Sequence, residues 1–348
     1  MGTIWFCLVA IMIAMYVVLD GFDLGAGAIH LLVAKTDVER RLVLHSVGPV
    51  WDGNEVWLLA AGGALYFAFP MLYASGFSGF YLPLMIVLWL LILRGISIEF
   101  RAQVESAVWF AFWDVVFCAA SLLLAVFFGA ALGNVVRGVP LDEKGYFFEA
   151  LWTDFRLGPN SGILDWYTIL IGVAALLTLV MHGALWLMVK TEGPVHDRSE
   201  RLARSTWWGV LIITILVTVL TFRVQPHVPE NLSDHPWGYV FPLLAVVGLI
   251  GMAWFMRKRD DIKSFFASSL YIVGMLTSVV FGLYPLVLPA SSNAAYSLTV
   301  ANAKAGDYGL RVGVAWWVIG MALATTYFVY VYRNFAGKVK PESGEGGY

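Results

Sequence analysis

The chain has 348 residues, of which 60% are hydrophobic and only 13% charged, with a net charge of −2 and a mean hydropathy of +0.77. Soluble domains carry about 25% charged residues, so this composition excludes an ordinary soluble protein and points to one that crosses a membrane several times. The net charge itself says nothing about nucleic acid, but there is no basic patch with RNA-binding aromatics, so no nucleic-acid partner is expected.

At the N-terminus there is no basic segment of the kind that precedes a cleaved signal. Gly2 is followed by Phe6 where N-myristoylation needs Ser or Thr, so that motif fails too. A bilayer core needs about 20 apolar residues per helix. On that scale the chain predicts nine spans, at 3–34, 46–70, 76–99, 107–134, 163–189, 204–222, 237–256, 264–288 and 311–333. The breaks are "KTDVERR", "FPMLYASG", "GISIEFRAQVES", the 135–162 loop, "KTEGPVHDRSERLAR", "RVQPHVPENLSDHP", "RKRDDIK" and the stretch from "PASSNAAY" to "GDYG". The polar, Gly-rich 337–348 segment reads as a disordered cytoplasmic tail.

The first span holds "YVVLDGFDLGAGAIH", Tyr16 to His30. At 100° per residue Tyr16, Asp20, Asp23, Gly27 and His30 fall within an arc of about 80°, a polar stripe that faces protein or water rather than lipid. Gly21 and Gly25, on another face, allow a close helix neighbour. The second span opens with "HSVGPVWDGNEVWLLAAGG", where Asp52 and Glu55 share a face. Asp23 lies eleven residues before Ala34 and Glu55 nine after Ser46. At 1.5 Å per residue both sit roughly 13–17 Å from the helix ends that the short loop joins. The four carboxylates therefore converge at one level, with Arg94 as countercharge, Asn54 as a further partner, and Glu99 and Arg101 beyond.

An Asp at the centre of a membrane helix costs about 2.5–3.5 kcal/mol, and neighbouring carboxylates repel one another, so some should hold a proton. Two readings stay open: a proton-carrying site, or a structural polar cluster that fixes helix packing. His30, His45 and His182 lie near span ends without the paired, facing imidazoles that haem or metal ligation wants, and read as hydrogen-bonded interface groups. Asp114, in "FWDVVF", can pair with another helix or belong to a subunit contact. Cys7 and Cys118 have no metal-ligand spacing, so no metal site is expected. The Trp and Tyr residues are mostly interfacial belts and packing.

Orientation follows the basic residues. Lys35, Arg40, Arg41, Arg94, Arg101, Lys190, Arg198, Arg201, Arg204, Arg257, Lys258, Arg259, Lys263, Arg333, Lys338 and Lys340 follow odd-numbered spans, sixteen of the 22 Lys and Arg. Arg137, Lys144, Arg156, Arg223, Lys304 and Arg311 lie on the other side, placing the N-terminus outside and the C-terminus inside.

The segments "DGFDLGAG", "WDGNEVWL", "AGGALYFAFPMLYASGFSGFYLPL", "LRGISIEFR", "GNVVRGVP" and "YPLVLPASSNAAYSLTVANA" resemble the second subunit of cytochrome bd quinol oxidases, including the cyanide-insensitive type. The likeness is close over 16–141 and 284–303. It implies an all-helical, nine-span protein of the bacterial plasma membrane, built as two four-helix bundles plus a peripheral last helix. It also implies a heterodimer with a first subunit that carries two haems b and one haem d, oxidises quinol from the membrane pool and reduces dioxygen to water. Small accessory subunits can join that pair. This chain would then be the haem-free subunit that stabilises its partner and lends Asp20, Asp23 and Asp52 to a cytoplasmic proton pathway. Glu55 stands where some relatives carry Gln. A dry passage for dioxygen is a further expectation, along Trp57, Ala60, Ala61, Gly62 and Gly63. The alternatives are a purely structural assembly subunit and a proton-coupled transporter, for which midplane carboxylates and Gly-interrupted helices would also suit.

Overall fold

The computed structural model describes residues 1–158 and 161–340. Twelve α-helices account for most of them: α1 Gly2–Val33, α2 Asp37–Val47, α3 Trp51–Ala68, α4 Pro70–Gly79, α5 Tyr81–Phe100, α6 Ala107–Arg137, α7 Trp166–Lys190, α8 Pro194–Val224, α9 His227–Asp234, α10 Val240–Arg257, α11 Asp261–Leu283 and α12 Asp307–Asn334. A small antiparallel hairpin, β1 Leu286–Leu288 with β2 Leu298–Thr299, pairs Leu286 with Thr299.

Among the described residues eight helices are long and apolar enough to cross a membrane: α1, α5, α6, α7, α8, α10, α11 and α12. The second expected span, 46–70, is divided. Its start ends the amphipathic α2, and its body is the 18-residue α3, whose first turns carry Asp52, Asn54 and Glu55 and dilute its apolarity. Several stretches read as breaks are helical, among them most of "KTEGPVHDRSERLAR", which opens α8, and the middle of "RVQPHVPENLSDHP", which is α9. "KTDVERR" begins α2, whose Thr36 and Glu39 cap each other's backbone N–H groups. "FPMLYASG" becomes α4, which starts at Pro70 after a bend at Phe69; proline suits a first helical turn because its missing N–H has no partner there anyway. The 264–288 span stops at Leu283, and the chain continues into β1.

α1 packs against α3, α6 and α7, α5 lies on α6, and α7 also meets α8 and α11, with α10 on α11. The α1–α7 crossing is close because both helices offer glycine. A Cβ at Gly25 would come within 1.9 Å of Leu179 O, and one at Gly183 within 2.2 Å of Ala26 N. The main core lies around this crossing, where Phe22 stacks on Trp186 at 4.0 Å between ring centroids. α12 buries only Leu310 of its 28 residues.

The two ends of the bundle differ. One gathers the C-termini of α1, α2, α7 and α12, where Arg198 of α8 donates to Val33 O at 2.6 Å and to Glu39 at 2.9 and 3.0 Å. Lys338 there donates to Met188 O and Thr191 O, and Val339 N to Lys190 O, so 338–339 are held against α7. The remaining tail residues, 341–348, lie outside the described residues. At the other end Arg137 donates to Glu149 at 2.8 Å and to Asp165, and Val139 N bonds Pro289 O, tying the 138–165 loop to the hairpin segment.

Candidate functional site

Helical spacing alone brings the first-span acids together, and α3 and α5 complete the site. Asp20 and Asp23, one turn apart on α1, are both buried, as are Arg94 on α5 and Asn54 on α3. The Arg94 guanidinium forks onto Asp20, with Nη1 to Oδ2 at 3.0 Å and Nη2 to Oδ1 at 2.5 Å. It lies 3.9 Å from Asp23 Oδ2 and 4.0 Å from Glu55. Asp23 Oδ2 accepts instead from the Asn54 amide at 2.8 Å, and Asn54 Oδ1 accepts from the Tyr332 hydroxyl of α12 at 2.8 Å. Asp23 Oδ1 and Trp57 Nε1 find no hydrogen-bond partner among the described residues.

One guanidinium thus faces three carboxylates. An isolated ionised carboxylate in such a place is too costly to keep, and neutralises instead. Geometry divides the roles. Both Asp20 oxygens accept from Arg94, whereas Asp23 has one amide donor and one open oxygen.

The remaining expected residues fall into three places. Glu55 is part-buried beside Arg94, and Asp52 is exposed in the first turn of α3, outside the Arg94 hydrogen-bond set. Glu99 is half-buried near the end of α5. Arg101 does not support this site. It donates to Asp114 at 2.6 Å and 3.1 Å and to Asp37 at 2.7 Å. Asp114 in turn accepts from Arg40 at 3.1 Å and pairs with His30 Nε2 at 2.8 Å. Asp114 is therefore the centre of a separate polar cluster between α1, α2, α5 and α6. Its depth in an apolar helix was the sequence signal that a cation had to be near.

Trp57 is buried, but Gly62 and Gly63 have no atom of this chain within 4 Å of an added Cβ. They lie on the outer face of α3, so any passage beside them needs a wall from another molecule. His182 engages both ring nitrogens, with Ser268 at 2.6 Å and Val18 O at 2.9 Å. With His30 on Asp114, these two imidazoles do not present a facing pair to a haem. No group of three or more His, Cys, Asp or Glu able to hold a metal occurs among the described residues. Sequence reasoning missed Tyr332, which lies 278 positions from its partner Asn54 and reaches it only through the fold.

The family model described as cytochrome bd terminal oxidase subunit II matches residues 1–335. A "Probable cytochrome oxidase subunit 2" of Haemophilus influenzae is 31% identical, covering 97% of this chain and 94% of its own length. The "Cytochrome bd ubiquinol oxidase subunit 2" of Bacillus subtilis is 32% identical, covering 89% of this chain and 88% of its own. The structure of the bd oxidase from Geobacillus thermodenitrificans has a similar fold, with a TM-score of 0.71 and 15% identity over 96% of this chain and 98% of that one.

Proposed function

Since the chain belongs to the cytochrome bd terminal oxidase subunit II family, we propose that it is the haem-free subunit of a quinol-oxidising, dioxygen-reducing complex and supplies part of that complex's proton route. It pairs with a haem-bearing first subunit in the bacterial plasma membrane. The eight apolar helices and α3 together make nine crossings, with the N-terminus outside. The end that carries α2 and the α7 and α12 termini faces the cytoplasm, in keeping with its share of Lys and Arg. α1, α3, α5 and α6 form one four-helix group and α7, α8, α10 and α11 the other, with α12 at the periphery.

The observation that carries the proton reading is the buried convergence of Asp20, Asp23 and Glu55 on a single Arg94. Asp52 in the first turn of α3, Glu55 one turn deeper and then Asp23 form a graded series of carboxylates from the cytoplasmic end inward. Asp23 is the proton-carrying member, and Asp20 holds Arg94 in place. The test is Asp23→Asn, with turnover expressed per haem of the purified complex. Oxygen consumption is expected to fall by an order of magnitude or more, roughly the 10²–10⁴-fold that a positioned proton-transfer group contributes, with haem content unchanged. Asp52→Asn should act in the same sense, less severely. Normal turnover in Asp23→Asn with intact haem would refute the route.

One observation favours the assembly reading for part of the site. The forked, fully buried Asp20–Arg94 pair is a rigid clamp between α1 and α5. Under that reading Asp20→Asn lowers haem incorporation before it alters turnover per haem.

A further inference from the structure

A cavity of about 270 Å³ opens at the end of the bundle where α2, α7 and α12 terminate, walled by His45, Val50, Trp186, Lys190, Tyr332 and Ala336 among others. Two of its wall residues lead directly to the buried acids. Val50 O accepts from Asn54 N at 2.9 Å, one helical turn deeper into α3. Tyr332 donates to Asn54 Oδ1, and the Asn54 amide donates to Asp23. The cavity is therefore separated from Asp23 by one side-chain layer.

We infer that this cavity is the aqueous mouth through which protons reach Asp23, and that Tyr332 is a positioning residue that orients the Asn54 amide at its inner wall. The inference rests on the proton route proposed above and adds its entrance. Water is the occupant the chemistry favours. Three helix C-termini meet here, those of α2, α7 and α12, and their carbonyl ends carry partial negative charge that disfavours anions. The two nearby ammonium groups are already engaged: Lys190 donates to Phe335 O, and Lys338 to Met188 O and Thr191 O while lying 3.6 Å from Asp261. Neither lining ammonium is therefore free for a phosphate or carboxylate ligand, whereas the Tyr332 hydroxyl can accept from water. An amide cannot pass a proton on without tautomerising. Asn54 and Tyr332 therefore keep their protonation states, and the proton travels on cavity water that passes between these two side chains to the open Oδ1 of Asp23.

The experiment uses the assembled oxidase in sealed vesicles, with Cys7→Ser and Cys118→Ala removing the two native thiols. Ala336→Cys is then modified with a membrane-impermeant cationic methanethiosulfonate. Labelling should occur from the cytoplasmic side only, turnover and proton uptake should fall several-fold with haem content unchanged, and dithiothreitol should restore both. Complete labelling without loss of turnover, or no labelling from that side, overturns this entrance. If Asp23→Asn still abolishes proton uptake in that case, the route stands with its mouth elsewhere; if Asp23→Asn is also silent, the route itself has failed. Tyr332→Phe tests the positioning role. It should slow proton uptake and raise the solvent deuterium isotope effect on turnover while haem per complex stays constant. A purely structural tyrosine would lower complex yield and leave the isotope effect alone, and that result overturns the assignment.

Discussion

Arg94 has no exposed surface and is the common neighbour of Asp20, Asp23 and Glu55. Removing one member of a buried ion pair strands the other charge, at a cost of about 3–5 kcal/mol, whereas replacing both partners by neutral groups can be nearly free. Arg94→Met should therefore leave little assembled complex, and the double variant Arg94→Met with Asp20→Asn should recover a large part of it. Arg94→Lys should behave closer to Met than to Arg, because an ammonium cannot reproduce the two parallel bonds of the guanidinium fork. Thermal stability of the purified complex in detergent is the measurement. An Arg94→Met complex as stable as the parent would mean that Asp20 is already neutral and that the fork contributes nothing. The carboxylates of this site were legible from α1 and α3 alone, because such groups stand out in apolar helices. The different partners of Asp20 and Asp23 were not. They depend on which oxygen meets Arg94 and which meets Asn54, and spacing along a helix does not encode that. Arg101 shows the same limit. Seven residues from Arg94, it seemed a second countercharge for the same acids, yet the turn between α5 and α6 carries it to Asp114.

Helix existence followed from apolar length, whereas helix ends and helix partners did not. α2 was hidden because the charged run "KTDVERR" looks like a loop when only hydropathy is read, although the Thr36–Glu39 capping box was there to find. α9 was missed for the same reason, whereas β1 was absorbed into the apolar 264–288 run and β2 lay in the loop after it. Small residues were the better guide to packing. Gly25 marked a face of α1 that a neighbour would approach, and Gly183 of α7 is that neighbour. Their backbones are so close that even a methyl group must push the helices apart. Overpacking a well-filled interior costs about 1–3 kcal/mol or more. Gly183→Ala is thus expected to lower the melting temperature of the complex measurably, and Gly183→Leu to prevent its accumulation. Gly62→Ala, with open space around the added Cβ, should leave stability at the parent value. Equal effects at the two positions would show that the α1–α7 crossing is looser than its geometry.

At the scale of the whole molecule, the two ends of the bundle titrate in opposite senses. At the end that carries α2 the Arg198 fork on Glu39, helped by the Lys35 and Thr36 N–H groups, holds that carboxyl down at about 2. An ordinary Glu in the unfolded chain titrates near 4.3, so the folded state binds this proton more weakly, and the stability it contributes is lost as pH falls from about 4.5 towards 2. At the opposite end burial pushes Glu149 up to about 7, with Asp165 adding to the rise and Arg137 opposing it. A single guanidinium there serves two buried carboxylates. The folded state now binds the proton more tightly than the unfolded chain does, so stability declines as pH rises from about 4.5 through 7. α1 alone has 32 residues, about 48 Å at the rise of an α-helix, while charges are screened over about 8 Å at physiological ionic strength. The two effects are therefore independent and add. Thermal stability of the complex should peak on the acid side of neutrality. Glu149→Gln should flatten the decline between pH 5 and 7.5 while leaving the acid limb intact, and Glu39→Gln should do the reverse. A Glu149→Gln complex that keeps the full alkaline decline would place the responsible group elsewhere, and would leave the Arg137 cluster as a pair of ordinary ionised carboxylates around one cation.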